Sequence, residues 1–398
     1  MASTHSLFQT VLATVICIVT TAQNNGSALP VFLVRADHYN AGLLVGKTFQ
    51  KQIQEYYHLH PSLRSKYIPW IKTPLGKQVY EEYVEVTNRT FPQYTLEMLG
   101  IANGAGLPFE EVFLINSMRE LDAFLSVNSS VDSCSDVFIN TGGNVGYCHN
   151  EDASPLIVGR GYIIDAEIYY PGSPQEIVEK FTFYTYPGTL SGNAFGFNGH
   201  GLTFSVDALY PKIVLRKKIP RNILTRAMLA ARSLEEVEKI LSDSGSGSAY
   251  AVGINIGDTS SGKLYNVEVG PDATRSPGSL LSAFEVKPTT RNDSANYFHV
   301  NKFRRLSLAE IPEHVISSKH RTARIEQLIP ADTFSQVRGI LGDTADKDYP
   351  LYRRPIKTDP TSTVATACYD IQKKTMDVYM GNPKSSPVFH SFPIKRTL

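Results

Sequence analysis

The sequence has little that would tie it to nucleic acid, to a metal or to a bilayer. Lys and Arg number 39 against 38 Asp and Glu, a net charge of +1 with no run of basic residues, so no long-range field attracts a polyanion or an anionic membrane. Neither Cys-x-x-Cys nor His-Glu-x-x-His occurs, which leaves no metal-binding spacing, and no cofactor is expected. The glycines of Asn103-Gly-Ala-Gly106 are not followed by lysine and do not make a phosphate loop. Repeats, low-complexity tracts and clear linkers are also missing. At 42% hydrophobic and 19% charged, the 398 residues read as an ordinary globular protein.

The apolar run at 7–19 is shorter than the roughly 20 residues of a comfortable membrane span. It ends in Thr20, Thr21 and Ala22, followed by polar Gln23 and Asn24, the pattern of a secretory signal removed after residue 22. Its start carries His5 but no Lys or Arg, and an uncleaved anchor is the competing reading. Glycan acceptor sites of the form Asn-x-Ser/Thr at Asn25, Asn88, Asn128 and Asn292 fit passage through the secretory pathway. The expected destination is secreted or lysosomal, with no stable membrane insertion after signal removal. Of four cysteines, Cys17 leaves with the signal. The odd number left in an oxidising compartment suggests one free thiol: if Cys148 and Cys368 pair, Cys134 is left over, and three buried unpaired thiols are the alternative.

Residues 31–125 read mainly as helix. Leu44, Val45, Phe49 and Ile53 recur at near-helical spacing over 43–57, further helices are expected over 78–86 and 94–102, and Pro108 with Glu110 after it opens one through 121. After Cys134 strands take over. Segments 137–139 and 145–148 flank Thr-Gly-Gly-Asn, a hairpin turn; 181–186 alternates; 194–197 and 202–206 flank Asn-Gly-His-Gly; 250–256 and 264–269 flank Asp-Thr-Ser-Ser-Gly. Helical patterns cover 222–241, 321–328 and 334–341, and the last strands are expected at 364–369, 376–380 and 388–392. Hairpins interrupted by blocks of helix imply antiparallel sheets with helices on their outer faces, an α+β layered domain. The sharp change of character falls between Leu121 and Cys134, where Ser126, Asn128, Ser129, Ser130, Asp132 and Ser133 form a polar connector.

That connector ends at a cysteine that starts a strand. If Gly142 and Gly143 form a two-residue loop, Cys134 lies opposite Glu151; one more loop residue puts it opposite Asp152. Either register sets a carboxylate about 5 Å, Cβ to Cβ, from the thiol. A carboxylate alone raises a thiol's pKa and makes it a poor nucleophile, so a base of another kind is needed. A free α-amino group, with a reference pKa of roughly 8, supplies one. Cutting the chain before Cys134 would free that amine, and the carboxylate would orient it. A structural cysteine in a sheet is the alternative.

Three stretches in order resemble the acyl-coenzyme A:isopenicillin N acyltransferase family, and within it the animal β-alanyl-dopamine hydrolase branch. Glu97-Met-Leu-Gly-Ile-Ala-Asn-Gly-Ala-Gly106 with Leu114-Ile-Asn-Ser-Met-Arg-Glu-Leu121 is similar to the family's helices before the cleavage point. Cys134-Ser-Asp with Gly146-Tyr-Cys-His-Asn-Glu-Asp152 resembles the nucleophile strand and its return strand, and Asn198-Gly-His-Gly-Leu202 resembles the following hairpin. The resemblance implies a four-layer αββα sandwich of the N-terminal nucleophile type. It implies a precursor that cuts itself between Ser133 and Cys134, giving a helical subunit 23–133 and a catalytic subunit 134–398 that stay associated. Carried over, Cys134 is the nucleophile, its freed amine the base, and Asp152 the residue that positions them.

An oxyanion donor is also required. Asn255 is the candidate, with pairing to neighbouring backbone as the alternative. Glu151, Asp207, His299 and Asn301 are expected around the substrate; His299-x-Asn301 resembles a family segment, and a structural histidine is the alternative there. Strand alternation sends at least one of His149 and Asn150 away from the site. Two positions depart from the family pattern. Relatives usually have Gly before the nucleophile, where this chain has Ser133, and Asp207 stands where related enzymes often carry Asn; an anion there cannot donate to an oxyanion.

The leading expectation is a secreted amidohydrolase that passes the acyl group of a small N-acyl amine, such as an N-β-alanyl biogenic amine, through a thioester on Cys134. One alternative is an acyltransferase, with a second amine or a thioester in place of water. Others are a lipid amide hydrolase resembling the ceramidases, which needs an apolar channel, and a non-catalytic secreted binding protein that kept the fold.

Overall fold

A computed structural model describes residues 17–24, 27–126, 133–242, 245–274, 278–288 and 296–398. Strands β1 (Cys17–Asn24) and β2 (Ser27–Ala36) come first. A helical section follows: α1 (His38–Thr48), α2 (Gln50–Leu59), α3 (Ile68–Ile71), α4 (Pro74–Thr90), α5 (Pro92–Ala105), α6 (Phe109–Asn116) and α7 (Met118–Leu125). From Ser133 the character reverses. Strands β3 (Ser133–Thr141), β4 (Asn144–Ala153), β5 (Tyr162–Tyr170), β6 (Ser173–Thr185), β7 (Phe195–Asn198) and β8 (Leu202–Ala208) lead to α8 (Arg221–Met228) and α9 (Leu234–Ser242). Then come β9 (Val252–Asp258), β10 (Lys263–Pro271), β11 (Ser279–Glu285), β12 (Phe298–Val300), α10 (Ile316–Leu328), α11 (Phe334–Leu341), β13 (Ser362–Asp370), β14 (Thr375–Tyr379) and β15 (His390–Pro393).

Local chemistry sets the helix ends. Asp37 caps α1 by accepting the Asn40 N–H at 2.9 Å, and Thr73 caps α4 in the same way at Gly76. Gly106, at φ 68°, closes α5 in the left-handed conformation that favours glycine. α1 and α5 cross at glycines: a Cβ on Gly42, Gly46, Gly100 or Gly104 would collide with the facing helix's backbone. The helix expected over 43–57 divides at Phe49, whose ring stacks on Tyr162 at 3.8 Å. The one expected over 222–241 divides as well, because the Asn198 amide takes the carbonyls of Leu229 and Ala231 at 3.2 and 2.7 Å, and these no longer serve the helix. Ser117 divides the helix expected after Pro108.

Two sheets stack. The larger has strand order β1-β2-β5-β6-β7-β8-β9-β10-β11 and the smaller β12-β3-β4-β13-β14-β15. α1 packs on β2 and β5, α10 and α11 pack on the smaller sheet, and β3 meets β8 across the gap. The result is the expected helix–sheet–sheet–helix layering, with one correction. The sheets are not wholly antiparallel: β2 and β5 run parallel, since the whole helical section intervenes and gives the chain room for the crossover. The smaller sheet is buried on both faces. Val137, Ile139 and Cys148 pack under α10 and α11 with Ile325, Val337 and Leu341, while Phe138, Tyr147 and Tyr369 stack between the sheets, where Tyr147 and Tyr369 hydrogen-bond β8. Each such ring contributes roughly 1.5–3 kcal/mol of burial.

Cys148 and Cys368 lie directly opposite each other in β4 and β13 and are joined by a disulfide, and Cys134 is a free, buried cysteine. Asn88 is exposed on α4; Asn25, Asn128, Asn292 and most of the polar connector lie outside the described residues. Among the described residues no helix is long and apolar enough to cross a membrane.

Candidate active site

The Gly142-Gly143 tip is a two-residue turn, so Cys134 pairs with Glu151 and Ser133 with Asp152. Alternation then sorts the hairpin into two chemical faces. Cys134, Asp136, His149 and Glu151 point into the space between the sheets; Ser135, Asn150 and Asp152 point toward the helices.

The inner face is a continuous chain of polar groups in an otherwise apolar layer. The Tyr186 hydroxyl donates to Glu151, His149 Nε2 lies 2.9 Å from the other Glu151 oxygen, and His149 Nδ1 lies 2.9 Å from Asp136 Oδ2. Ser205 donates to Asp136 at 2.6 Å, and Asn255 donates to Ser205 at 3.1 Å and to Asp207 at 3.0 Å. His299 closes the chain with Nδ1 2.8 Å from Asp207 and Nε2 3.4 Å from Glu268, whose carboxylate accepts the backbone N–H groups of Arg304, Arg305 and Leu306. All these side chains are buried, and groups so placed must pair or give up their charge.

The electrostatics follow from that burial. Burial, reinforced by the Glu151 charge, pushes the Cys134 thiol up to about 12 against the pull of His149. Burial and neighbouring Asp207 raise Asp136 to about 7. Burial opposes a charged ring at His149 and His299, but their carboxylate partners prevail: His149 is raised well above the ordinary imidazole value and His299 to about 9. Glu268, with His299 and three backbone donors, stays ionised to about 2 in spite of burial.

The outer face holds the backbone of the cysteine. Asn301 Oδ1 accepts the Cys134 N–H at 2.7 Å, and its amide donates to the Ala208 carbonyl at 2.9 Å. Arg321, from α10, donates to the Cys134 carbonyl, to Ser135 Oγ at 2.9 Å and to Asn301 Oδ1 at 2.8 Å. Asp152 accepts Thr363 Oγ1 at 2.5 Å, and its second oxygen, 3.4 Å from Arg353 Nε, has no hydrogen-bond partner. Burial lifts Asp152 to about 7 against Arg353 and Arg321.

A cavity of about 410 Å³ is walled by Arg119, Asp122, Tyr210, Lys212, Tyr250 and Glu313. Tyr210 is near enough to Cys134 for their charges to interact, and it follows closely on Ala208, to which Asn301 bonds. The volume suits a small ligand, and its walls offer aromatic faces and charges of both signs.

Residues 139–385 match the family model described as acyl-coenzyme A:6-aminopenicillanic acid acyl-transferase. The chain belongs to this family. It is accordingly an enzyme that works on the acyl carbon of linear amides. A Drosophila melanogaster protein, the beta-alanyl-dopamine/carcinine hydrolase, is 29% identical over 378 residues, 92% of this chain and 96% of that protein. The acyl-coenzyme A:6-aminopenicillanic-acid-acyltransferase 40 kDa form of Emericella nidulans is 24% identical over 249 residues, 62% of this chain and 60% of that one. Penicillin V acylase from Agrobacterium tumefaciens is a distant structural likeness, with a TM-score of 0.34 and 11% identity over 62% of this chain and 83% of that one.

The structure brings Cys134, Glu151, Asp152 and Asn301 together but distributes their tasks differently from the expectation. Asn301 holds the Cys134 nitrogen and does not line the cavity. Asp207 and His299 are buried between the sheets and paired with each other at 2.8 Å, and neither is among the walls of the cavity. The Asn255 amide is taken by Ser205 and Asp207, and its oxygen accepts from Asn266 at 2.6 Å, so the neighbouring side chains occupy the group that was to meet an oxyanion. Sequence reasoning passed over Asp136, Tyr186 and Arg321. Hairpin pairing could have found Asp136, which lies opposite His149; Arg321 is 187 positions from Cys134 and left no local signal.

Proposed function

We propose that the chain is an N-terminal cysteine amidohydrolase of the secretory pathway, cut between Ser133 and Cys134 into two associated chains. The observation that carries the reading is the hold on Cys134: a buried thiol at the start of β3, with its nitrogen bonded to Asn301 and its carbonyl to Arg321. In the cut enzyme Asn301 accepts from the freed amine, and the unfilled oxygen of Asp152 is a second acceptor for an ammonium. The amine takes the thiol proton as sulfur attacks the amide carbon, returns it to the leaving amine, and then activates water against the thioester.

For substrate we infer a small N-acyl amine with a polar acyl group, of the β-alanyl amide kind named for the Drosophila relative. The charged walls of the cavity, Arg119, Asp122, Lys212 and Glu313, favour it over a lipid amide. Water is the acceptor in this reading, and an acyltransferase is distinguished by product analysis with an added amine. The test is intact mass and N-terminal sequencing of protein from secreting cells beside Cys134→Ala, followed by N-acyl amine hydrolysis. Chains of 111 residues (23–133) and 265 residues (134–398) are expected in the unaltered protein alone. A single full-length chain in both, with no amide turnover, refutes the reading in favour of a binding protein.

A further inference from the structure

The proposed function leaves one step without a base. Before the bond at Cys134 is cut there is no α-amine, and burial opposite a carboxylate keeps the thiol in its neutral, unreactive form. The hairpin itself carries a second activating system. Cys134 Sγ, a ring nitrogen of His149 and a carboxylate oxygen of Glu151 lie within 4.8 Å of one another, and all three are buried. His149 sits between two carboxylates, 2.9 Å from Glu151 at one nitrogen and 2.9 Å from Asp136 at the other. Two carboxylate partners hold the ring well above the ordinary imidazole value against burial and so favour the imidazolium, which donates from both nitrogens. Asp136 is fixed in turn by Ser205, and Glu151 by Tyr186. The remaining groups whose charge reaches the thiol or its flanking residues come from other elements: Asp207 on β8, Tyr186 after β6, Tyr210 after β8 and Arg321 on α10.

We propose that Glu151 and His149 activate the Cys134 thiol in the uncut chain, Glu151 accepting its proton while the His149 imidazolium, anchored by Asp136, balances the thiolate. This rests on the reading of Cys134 as the nucleophile. In self-cleavage the S–H bond breaks and its proton passes to Glu151. A bond forms from sulfur to the Ser133 carbonyl carbon, and the carbonyl π pair moves to oxygen. Collapse breaks the bond from that carbon to the Cys134 nitrogen, which receives the proton from Glu151. Water then hydrolyses the thioester, which restores the thiol and leaves a carboxyl on Ser133. His149 and Glu151 thus carry the first turnover, and the α-amine they release carries the later ones.

The test uses the full chain, His149→Gln and Glu151→Gln, with Cys134→Ser as a spectroscopic blank. The thiolate band is titrated in the ultraviolet, native folding is checked by circular dichroism, and the appearance of the 265-residue chain is timed by pulse–chase. His149→Gln removes the cation and should give less thiolate at a given pH. Glu151→Gln removes the like charge and should give more. Both should slow self-cleavage by about 100-fold or more, the usual contribution of a positioned acid or base. Opposite thiolate shifts with a shared loss of cleavage is a signature that a general packing defect does not produce. Should His149→Gln not fold, Asp136→Asn, which leaves the ring but removes its anchor, replaces it with the same expected direction. Thiolate shifts that are absent or run the same way overturn the proposal, as does cleavage in His149→Gln within about threefold of the unaltered chain. Should the unaltered chain never be cut, the processing reading fails by itself, and the two thiolate shifts still decide whether this pair activates the thiol.

Discussion

Replacing Arg226 by methionine tests how the two sections of the chain on either side of Cys134 are held together. Arg226, on α8 and fully buried, lies 2.9 Å from Glu97 and 2.8 Å from Glu179, and its guanidinium stacks over the rings of Tyr94 and Phe181, each at 4.6 Å. His38 joins from the other side, 2.9 Å from Glu97 and 3.5 Å from Glu179, and the Tyr94 hydroxyl donates to Glu179 at 3.0 Å. His38, Tyr94 and Glu97 precede the connector; Glu179, Phe181 and Arg226 follow Cys134. Burial would raise the Glu97 carboxyl, but Arg226 and then His38 hold it down at about 2. Against an ordinary 4.5, that is worth about 3 kcal/mol at 1.36 kcal/mol per pH unit. Removing the cation also strands two buried carboxylates, for which a loss of about 3–5 kcal/mol is expected.

The sign of the pH dependence follows. A depressed carboxyl contributes stability that is present above its unfolded pKa and lost as pH falls toward 2. Without Arg226, burial dominates and raises Glu97, and stability then falls as pH rises. The deficit of Arg226→Met should be largest near neutrality and shrink below about pH 4. Urea unfolding at the two pH values measures it, and the triple variant that also carries Glu97→Gln and Glu179→Gln should recover most of the loss. A neutral-pH deficit under about 1 kcal/mol, or one that grows on acidification, refutes the reasoning.

Three further outcomes are expected. Cys148→Ala with Cys368→Ala opens a loop of sequence separation 220, and the chain-entropy model puts the loss at about 5 kcal/mol; melting of the unaltered protein with and without reductant should show a deficit of the same size. Asp152, raised by burial to about 7, gives stability that is present below its unfolded pKa and lost as pH rises through 7, by about 4 kcal/mol in all; Asp152→Asn should flatten that slope in pH-dependent melts and slow amide turnover. Glu313→Gln, at the exposed rim of the cavity, should raise KM by up to about fivefold for an amide whose acyl group carries an ammonium and leave a neutral acyl analogue unchanged, as steady-state kinetics will show.

Much of the fold is legible in local pattern. Hairpin turns at 141–144 and 198–201 place four strands, and the helical section before the connector follows from apolar spacing at 3.6 residues. β1, β2, β5, β11 and β12 escaped notice: Cys17–Asn24 overlaps the segment read as a signal, and Ser27–Ala36 runs into the section read as helix from residue 31. β12 is only three residues long and owes its place to pairing with β3. β2 and β5 pair in parallel across 132 positions (Val31 with Ile163), a relation that no local period encodes. Helix breaks at Phe49 and after Met228 arise from a ring and an amide contributed by distant parts of the chain.

For the site, the sequence alone determined the nucleophile candidate and that a carboxylate, Glu151 or Asp152, lies opposite the thiol, because strand pairing within one hairpin is a matter of counting; the structure fixed the two-residue turn and with it Glu151. It also determined that one of His149 and Asn150 must face inward. With that turn, alternation puts His149 on the face of the thiol; only the tertiary structure decided that this face, which β8 meets, is the one shut between the sheets, while Asn150 turns to the carbonyls of Leu341 and Leu351. The same stacking drew Asp207 and Asn255 into a buried chain of charges and gave the Cys134 backbone to Asn301 and Arg321. The physical reason is burial. A polar side chain shut between two sheets must find its partner wherever the fold brings one, 167 or 187 residues away, and sequence spacing carries no record of that choice.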